Sequence, residues 1–144
     1  MCGGGLRDDV NLEMLNRRGD GRLPGLVGLR IVSLQAKRLD AELDIRPELL
    51  APNGYLHAAT VIALADTAAG YACIAHLPDG AQNFTTIELK CNFLGTAREG
   101  TLACVATPAH LGRTTQVWDS VVTRKADGGT IALFRCTQMV LWPK

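Results

Sequence analysis

Two groups able to do chemistry frame one apolar stretch. His57 opens the run "HAATVIALAD", and Asp66 ends it, inside a segment (Leu56–Leu77) made almost wholly of apolar or small residues. A carboxylate buried without a partner is costly and drifts toward its neutral form. Asp66 therefore has either a structural partner, such as a backbone amide or Arg135, or a task as general base or nucleophile in a partly dry pocket. His57 also has two readings. It is a polar residue of a helix cap, or it anchors a helix N-terminus whose free amides hold an oxyanion. Nine residues separate the two, about 13 Å along a helix at 1.5 Å per residue. Within one chain they cannot both touch one small reacting group. If both serve one reaction they come from two chains, and two-fold symmetry then makes two identical sites per dimer.

The elements that must position these groups follow from the pattern of the chain. Its 144 residues suffice for one compact core, and no linker, repeat or low-complexity tract divides it, so a single domain over 1–144 is expected, with 1–24 as an N-terminal segment carrying a short helix. That helix reads over Asp8–Arg18 and stops at Gly19 and Gly21. The pattern is strand-like from Leu26 to Ile45. In "RLDAELDI" Leu39, Ala41, Leu43 and Ile45 alternate with charged residues, as in a half-buried strand. "RPELLAPNGY" (Arg46–Tyr55) is a loop leading into the apolar helix. Four strand-like runs follow, near Phe84–Leu94, Thr101–Thr107, Thr115–Lys125 and Thr130–Leu141, and their short connections imply antiparallel hairpins. The fold class is α+β: a curved antiparallel sheet wrapped around a long central helix. Such a helix is buried on nearly all sides only if the sheet wraps it or a second subunit covers the remainder.

Composition narrows the partners. The net charge is +1, from 15 basic and 14 acidic residues that are scattered along the chain, which gives no electrostatic footprint for nucleic acid or an anionic membrane. Leu56–Leu77 is long enough to span a bilayer, yet its apolar content is mostly alanine and a central Asp alone costs about 2.5–3.5 kcal/mol on insertion scales, so a buried helix fits better. The five cysteines (Cys2, Cys73, Cys91, Cys104, Cys136) show no CxxC spacing and read as reduced thiols packed as small hydrophobes, with no metal site. "MCGGGLRDDV" lacks the pattern of a signal peptide, so a cytoplasmic location is expected.

The stretch "LHAATVIALADTAAGYA" resembles the central-helix signature of the hotdog-fold acyl-CoA thioesterases of the PaaI-like type. "AREGTLACVATPAHLGRTTQVWDSVV" is similar to the 1,4-dihydroxy-2-naphthoyl-CoA and enterobactin-proofreading thioesterases of that group, and the likeness covers roughly Gly25–Leu141. The resemblance implies that Asp66 sits beside the thioester carbon, attacking it or activating water. The Ala58 amide of the other subunit would hold the carbonyl oxygen, and His57 would fix that loop. Thr86 would position the water, although strict alternation puts Thr85 with Ile87, Leu89, Cys91 and Phe93, and Thr86 on the opposite face unless a bulge intervenes. Coenzyme A, as part of the substrate and with no further cofactor, would meet Thr96, Arg98, His110, Leu111, Gly112, Arg113 and Thr114, the two arginines facing phosphate. A homodimer assembling into a homotetramer is implied.

Three departures from the family pattern stand out. The family's His-Gly-Gly is His57-Ala58-Ala59 here. The polar residue expected six before the His is replaced by Ala51, leaving Asn53 as the nearest polar side chain of that loop. Gly70 stands where some relatives carry a hydroxyl. The reading is thus an acyl-CoA thioesterase acting on an aryl or medium-chain acyl group. The alternatives are a non-catalytic acyl-CoA binder and a hotdog hydratase or dehydratase.

Overall fold

The computed structural model describes residues 5–144. In chain order these form helix α1 (Leu12–Arg18), the single turn α2 (Leu23–Leu26), strands β1 (Arg30–Gln35) and β2 (Arg38–Asp44), the long helix α3 (Ala58–Ala75), and strands β3 (Asn83–Phe93), β4 (Thr101–Leu111), β5 (Thr115–Arg124) and β6 (Thr130–Leu141). Every strand pair is antiparallel, in the order β1-β2-β4-β5-β6-β3. Helix α3 packs against β2, β3, β4, β5 and β6, so the sheet curves around it as the hotdog resemblance implies.

Small residues make this wrapping possible. Ala65, Ala68, Ala69, Ala72 and Ala75 are fully buried and let the helix axis approach the sheet, while Val61 and Leu64 fill the gaps between them. Opposite lie the inward residues of the strands: Leu39, Ala41 and Leu43 of β2, Leu102 and Cys104 of β4, Trp118 and Val122 of β5. Burying each large side chain contributes about 1.5–3 kcal/mol. The one helix among the described residues long and apolar enough to cross a membrane is therefore this core helix, packed in the sheet. Cys73, Cys104 and Cys136 are buried free thiols, pushed up in pKa by burial, Cys104 and Cys136 to about 12. Cys2 lies outside the described residues.

Some boundaries differ from the expected ones for visible reasons. Helix α1 starts at Leu12, later than Asp8, because the Asn11 Oδ1 accepts from the Met14 N–H at 2.9 Å and caps it there. The extra turn α2 carries its proline at the helix start, where a missing N–H costs nothing. Strand β4 continues past Thr107 to Leu111 because a register shift between Pro108 and His110 absorbs the proline. The largest correction is topological: β3 and β4 do not form a hairpin. Strand β3 pairs with β6 at the sheet edge, and the loop after it passes under the N-terminal end of α3, where the Leu56 N–H donates to the Ala97 carbonyl at 3.0 Å.

The far end of α3 is locked by a buried histidine. His76 Nε2 accepts from the Lys37 N–H at 2.8 Å, and its Nδ1 lies 2.7 Å from the Ala72 carbonyl, so the ring carries its proton on Nδ1 and is neutral. The Gln116 side chain donates to the His76 carbonyl at 2.9 Å and accepts from the Trp118 indole at 2.8 Å. Burial pushes the His76 pKa down. An imidazole whose folded pKa lies below its unfolded value binds fewer protons when folded. Its share of stability is complete above the ordinary imidazole range and is lost as pH falls through that range toward the depressed value. Wild-type melting temperature is expected to fall as pH drops below about 6.5. His76→Gln, which cannot titrate, should be lower at pH 8 and flatter across the same interval in a series of thermal melts.

Candidate active site

Helix α3 begins at a histidine cap. His57 adopts an extended backbone, and its Nδ1 accepts from the Ala59 N–H at 2.9 Å, while its carbonyl accepts from the Thr60 N–H at 3.0 Å. The Thr60 hydroxyl donates to the Leu49 carbonyl at 2.8 Å and ties the first turn to the preceding loop. The cap thus occupies the second and third amides of the helix. The first, on Ala58, donates to no group among the described residues, and His57, Ala58 and Ala59 are all exposed. A free amide at a helix N-terminus suits a developing oxyanion. Asn53 does not reach this point as a free acceptor: its Oδ1 accepts from the Tyr55 N–H at 3.1 Å and holds the loop turn.

Asp66 lies further along α3 in the wall of a cavity of about 230 Å³, shared with Thr67, Gly70, Tyr71, Phe84 and Thr86 and completed by Arg18, Pro24, Ile74 and Asn83. Its Oδ1 is buried and has no hydrogen-bond partner. The structural reading offered Arg135, but that guanidinium faces the other side of the sheet and pairs with Asp119 at 2.6 Å. Among the described residues no amide takes its place. Burial pushes the Asp66 pKa up, and burial likewise pushes up the Tyr71 phenol. The Asp66 charge also acts on Cys136, where it adds to burial in raising the thiol to about 12. Gly70 makes room for the cavity's aromatic wall, since a Cβ there would stand 3.0 Å from the Phe84 ring.

Thr86 reaches the cavity because β3 carries a bulge. The register against β6 shifts between Thr86 and Glu88, which leaves Ile87 unpaired. Thr86 therefore stands opposite Gln138, and Leu89, Cys91 and Phe93 stand opposite Cys136, Phe134 and Ala132, all on the helix-facing side. The simple alternation that put Thr86 on the outer face fails at this one residue. Gln138, fully buried and accepting from the Thr86 hydroxyl at 2.7 Å, is a neighbour of the cavity that the sequence reading missed. The available signal was its place on the inward side of β6, in step with Cys136 and Val140.

The residues expected to meet coenzyme A fall into two groups. Arg98 lies at the helix-start end of the sheet, 4.1 Å over the Tyr55 ring, and the Thr96 carbonyl there accepts from Arg124 at 3.1 Å. His110, Leu111, Gly112, Arg113 and Thr114 form the β4–β5 turn at the opposite end, with Arg113 4.2 Å over the Trp142 ring. Gly112 is needed in that turn, as a Cβ would stand 2.6 Å from the His110 ring. Strand β4 separates the groups by its whole length, so one chain does not bring Arg98 and Arg113 together.

The family profile of the thioesterase superfamily matches residues 53–131, from the loop before α3 into β6. A 1,4-dihydroxy-2-naphthoyl-CoA hydrolase of Escherichia coli is 32% identical over 112 residues, covering 76% of this chain and 79% of the relative. A mutant thioesterase of Pseudomonas aeruginosa, solved as a crystal structure, superposes with a TM-score of 0.89 at 29% identity, covering 94% of this chain and 97% of the other. A thioesterase of Haemophilus influenzae gives 0.88 at 25% identity, with 94% of each chain covered.

The lone Asp66 oxygen makes a stability prediction. A carboxylate whose pKa is raised by folding binds its proton more tightly when folded, so its ionisation destabilises the fold as pH rises from the ordinary carboxylate value through the raised one. Asp66→Asn should melt higher than wild type at pH 7, by roughly 2–4 °C for each kcal/mol relieved. It should show little gain at pH 3, where both side chains are neutral. An unchanged or lower melting temperature at pH 7 would mean that the carboxylate has a stabilising partner.

Proposed function

The chain belongs to the thioesterase superfamily and is a thioester hydrolase, and on that premise we propose that it hydrolyses an acyl-CoA whose acyl group is aryl or of medium length, with Asp66 acting at the thioester carbon. The observation that carries this reading is Asp66 in the wall of a cavity that Thr86 also lines, with one carboxylate oxygen buried and without a partner among the described residues. A carboxylate kept dry and unpaired is a stronger base than one in water. Asp66 takes a proton from water, the water oxygen bonds to the carbonyl carbon, and the carbonyl oxygen becomes an oxyanion. Collapse breaks the C–S bond and expels the CoA thiolate, a leaving group good enough to need no strong acid. The proton on Asp66 then passes to the thiolate or to solvent. Coenzyme A enters only as part of the substrate.

The oxyanion donor comes, on this reading, from a second copy of the chain. Ala58 is too far along α3 from Asp66 to serve the same carbonyl, at about 1.5 Å per residue. Strand β3 supplies the means of pairing. It is the terminal strand of the sheet, and Ile87 (54% exposed), Leu89 (41%) and Phe93 (46%) leave it open on both faces. An apolar edge of that length invites another strand. The chain passes from β3 toward the Ala58 end of the molecule, and β3 begins near the cavity with Asn83, Phe84 and Thr86. Two β3 strands paired antiparallel about a two-fold axis therefore set Ala58 of the partner subunit beside this chain's Asp66 cavity. The same axis carries the partner subunit's Arg98 toward this chain's Arg113, so the two separated groups become the two sides of one CoA site. Two such dimers would form the tetramer.

Thiol release from a panel of aryl and straight-chain acyl-CoAs tests the reaction. Wild type should turn over at least one member and Asp66→Asn none, with binding retained; binding by both and turnover by neither would make the protein a binder. A mixing experiment tests the shared site. Ala58→Pro replaces the amide hydrogen with a ring carbon without disturbing the backbone, because proline is accepted at the first helical position and His57 (φ −70°, ψ 136°) already has the backbone a proline demands before it. Each variant alone should be inactive. Dissociated and reassociated in equal amounts, about half of the dimers carry one complete site, so the mixture should regain about a quarter of the wild-type rate. No recovery would place both groups in one chain.

A further inference from the structure

We propose that Gln138 is a positioning residue that turns the Thr86 hydroxyl into a hydrogen-bond acceptor for the attacking water, an inference that rests on the hydrolytic reading above. Gln138 is 0% exposed and stands directly across the β3–β6 ladder from Thr86. The Thr86 Oγ1 donates to its Oε1 at 2.7 Å, and its Nε2 donates to the Cys136 sulfur at 3.3 Å. The buried amide is thus used at both ends, by Thr86 on the cavity wall and by its own strand neighbour Cys136.

The consequence is a matter of proton counting. A threonine hydroxyl has one proton and two lone pairs. With that proton committed to Gln138, Thr86 can only accept from the cavity it shares with Asp66. Water has two protons, and the wall now offers two acceptors, Asp66 and Thr86. A water held by both has a lone pair left to direct at the thioester carbon. As the proton passes to Asp66 and the oxygen bonds to carbon, Thr86 keeps the remaining O–H in place.

The same lone pairs repel a carbonyl oxygen, so the substrate cannot bind with that oxygen on Thr86. The oxyanion is directed away, to a site of N–H donors. An oriented acceptor serves the step in which water attacks: on the thioester itself when Asp66 is the general base, and on the acyl-Asp66 anhydride where the carboxylate attacks first. The bulge at Ile87 is what brings Thr86 to Gln138, which gives that irregularity a function.

The test compares steady-state kinetics of wild type, Gln138→Met, Thr86→Val, the double variant and Gln138→Glu on the acyl-CoA that wild type turns over best. Gln138→Met keeps the length of the side chain but offers no acceptor oxygen, and should lower kcat about tenfold, the scale of one lost hydrogen bond, with KM within about twofold. In the Thr86→Val background the same change should cost nothing further, because Gln138 acts through Thr86. Gln138→Glu retains an acceptor oxygen and should keep kcat within about threefold of wild type; it carries the test alone if Gln138→Met does not fold. Equal losses in both backgrounds, a loss confined to KM, or a Gln138→Glu variant as slow as Thr86→Val would overturn the proposal. Failure of wild type on every acyl-CoA would instead remove the hydrolytic reading, and this inference with it.

Discussion

Asp66 stands in the wall of a cavity at the edge of the core with its Oδ1 buried and unpartnered among the described residues, and its helix is firmly held. At the start of α3 the His57 cap and the Thr60 hydroxyl fix the first turn. At the end, the His76 ring is bonded to the β1–β2 turn and to its own helix. Between them the Ser120 hydroxyl donates to the Ala65 carbonyl at 2.9 Å, one residue before the carboxylate. A side chain on a loosely packed helix would relax until its oxygen met water or an amide. Here the backbone is pinned at three places, so the cost of the unpaired oxygen is retained in the fold. That retained cost is the same quantity as the raised basicity of the group.

The wrapping of the helix and the incompleteness of the site have a common origin. A sheet curved around one side of α3 buries Ala65, Ala68 and Ala72 completely but leaves Ala58 and Ala59 exposed and Ile62, Ala63 and Thr67 half-buried. That open stripe runs from the free amide to Asp66. It borders β3, the strand with the unsatisfied edge. In the proposed function the side on which a substrate approaches is thus also the side on which the fold lacks a neighbour. In the proposed dimer one event closes the edge and supplies the amide.

The parts of this arrangement visible in the sequence were those governed by short periods. The alternation of Leu39, Ala41 and Leu43 gave β2 its buried face, and the run of alanines after His57 gave the helix. The nine-residue spacing of His57 and Asp66 held because one unbroken helix carries both. Features that depend on one residue out of step were not visible. Nothing in "NFTTIELKCNF" marks Ile87 as the unpaired residue, yet it decides which threonine faces Asp66. The pairing of β3 with β6 was hidden as well, because a short loop reads as a hairpin whether it joins neighbours or passes around the end of a helix. Gln138 was obscured by its own strand, where one polar side chain among inward apolar ones gives no hint of its partner across the ladder.

The alanines that replace the family's two glycines can now be placed. Positive φ is where glycine is favoured over other residues, and Lys37 is the one non-glycine residue with positive φ among those described. Ala58 and Ala59 therefore have ordinary backbone angles, and the start of the helix does not depend on glycine to take its shape. Both residues have good helix propensity at positions where glycine has little. Ala58 is exposed and its amide donates to no group among the described residues, with its neighbour capped by His57. What the substitution adds is one methyl group on each residue at the mouth of the site. In the proposed site that addition narrows the passage beside the carbonyl, and so bears on the choice of acyl group, more than on the capacity of the helix end to hold an oxyanion.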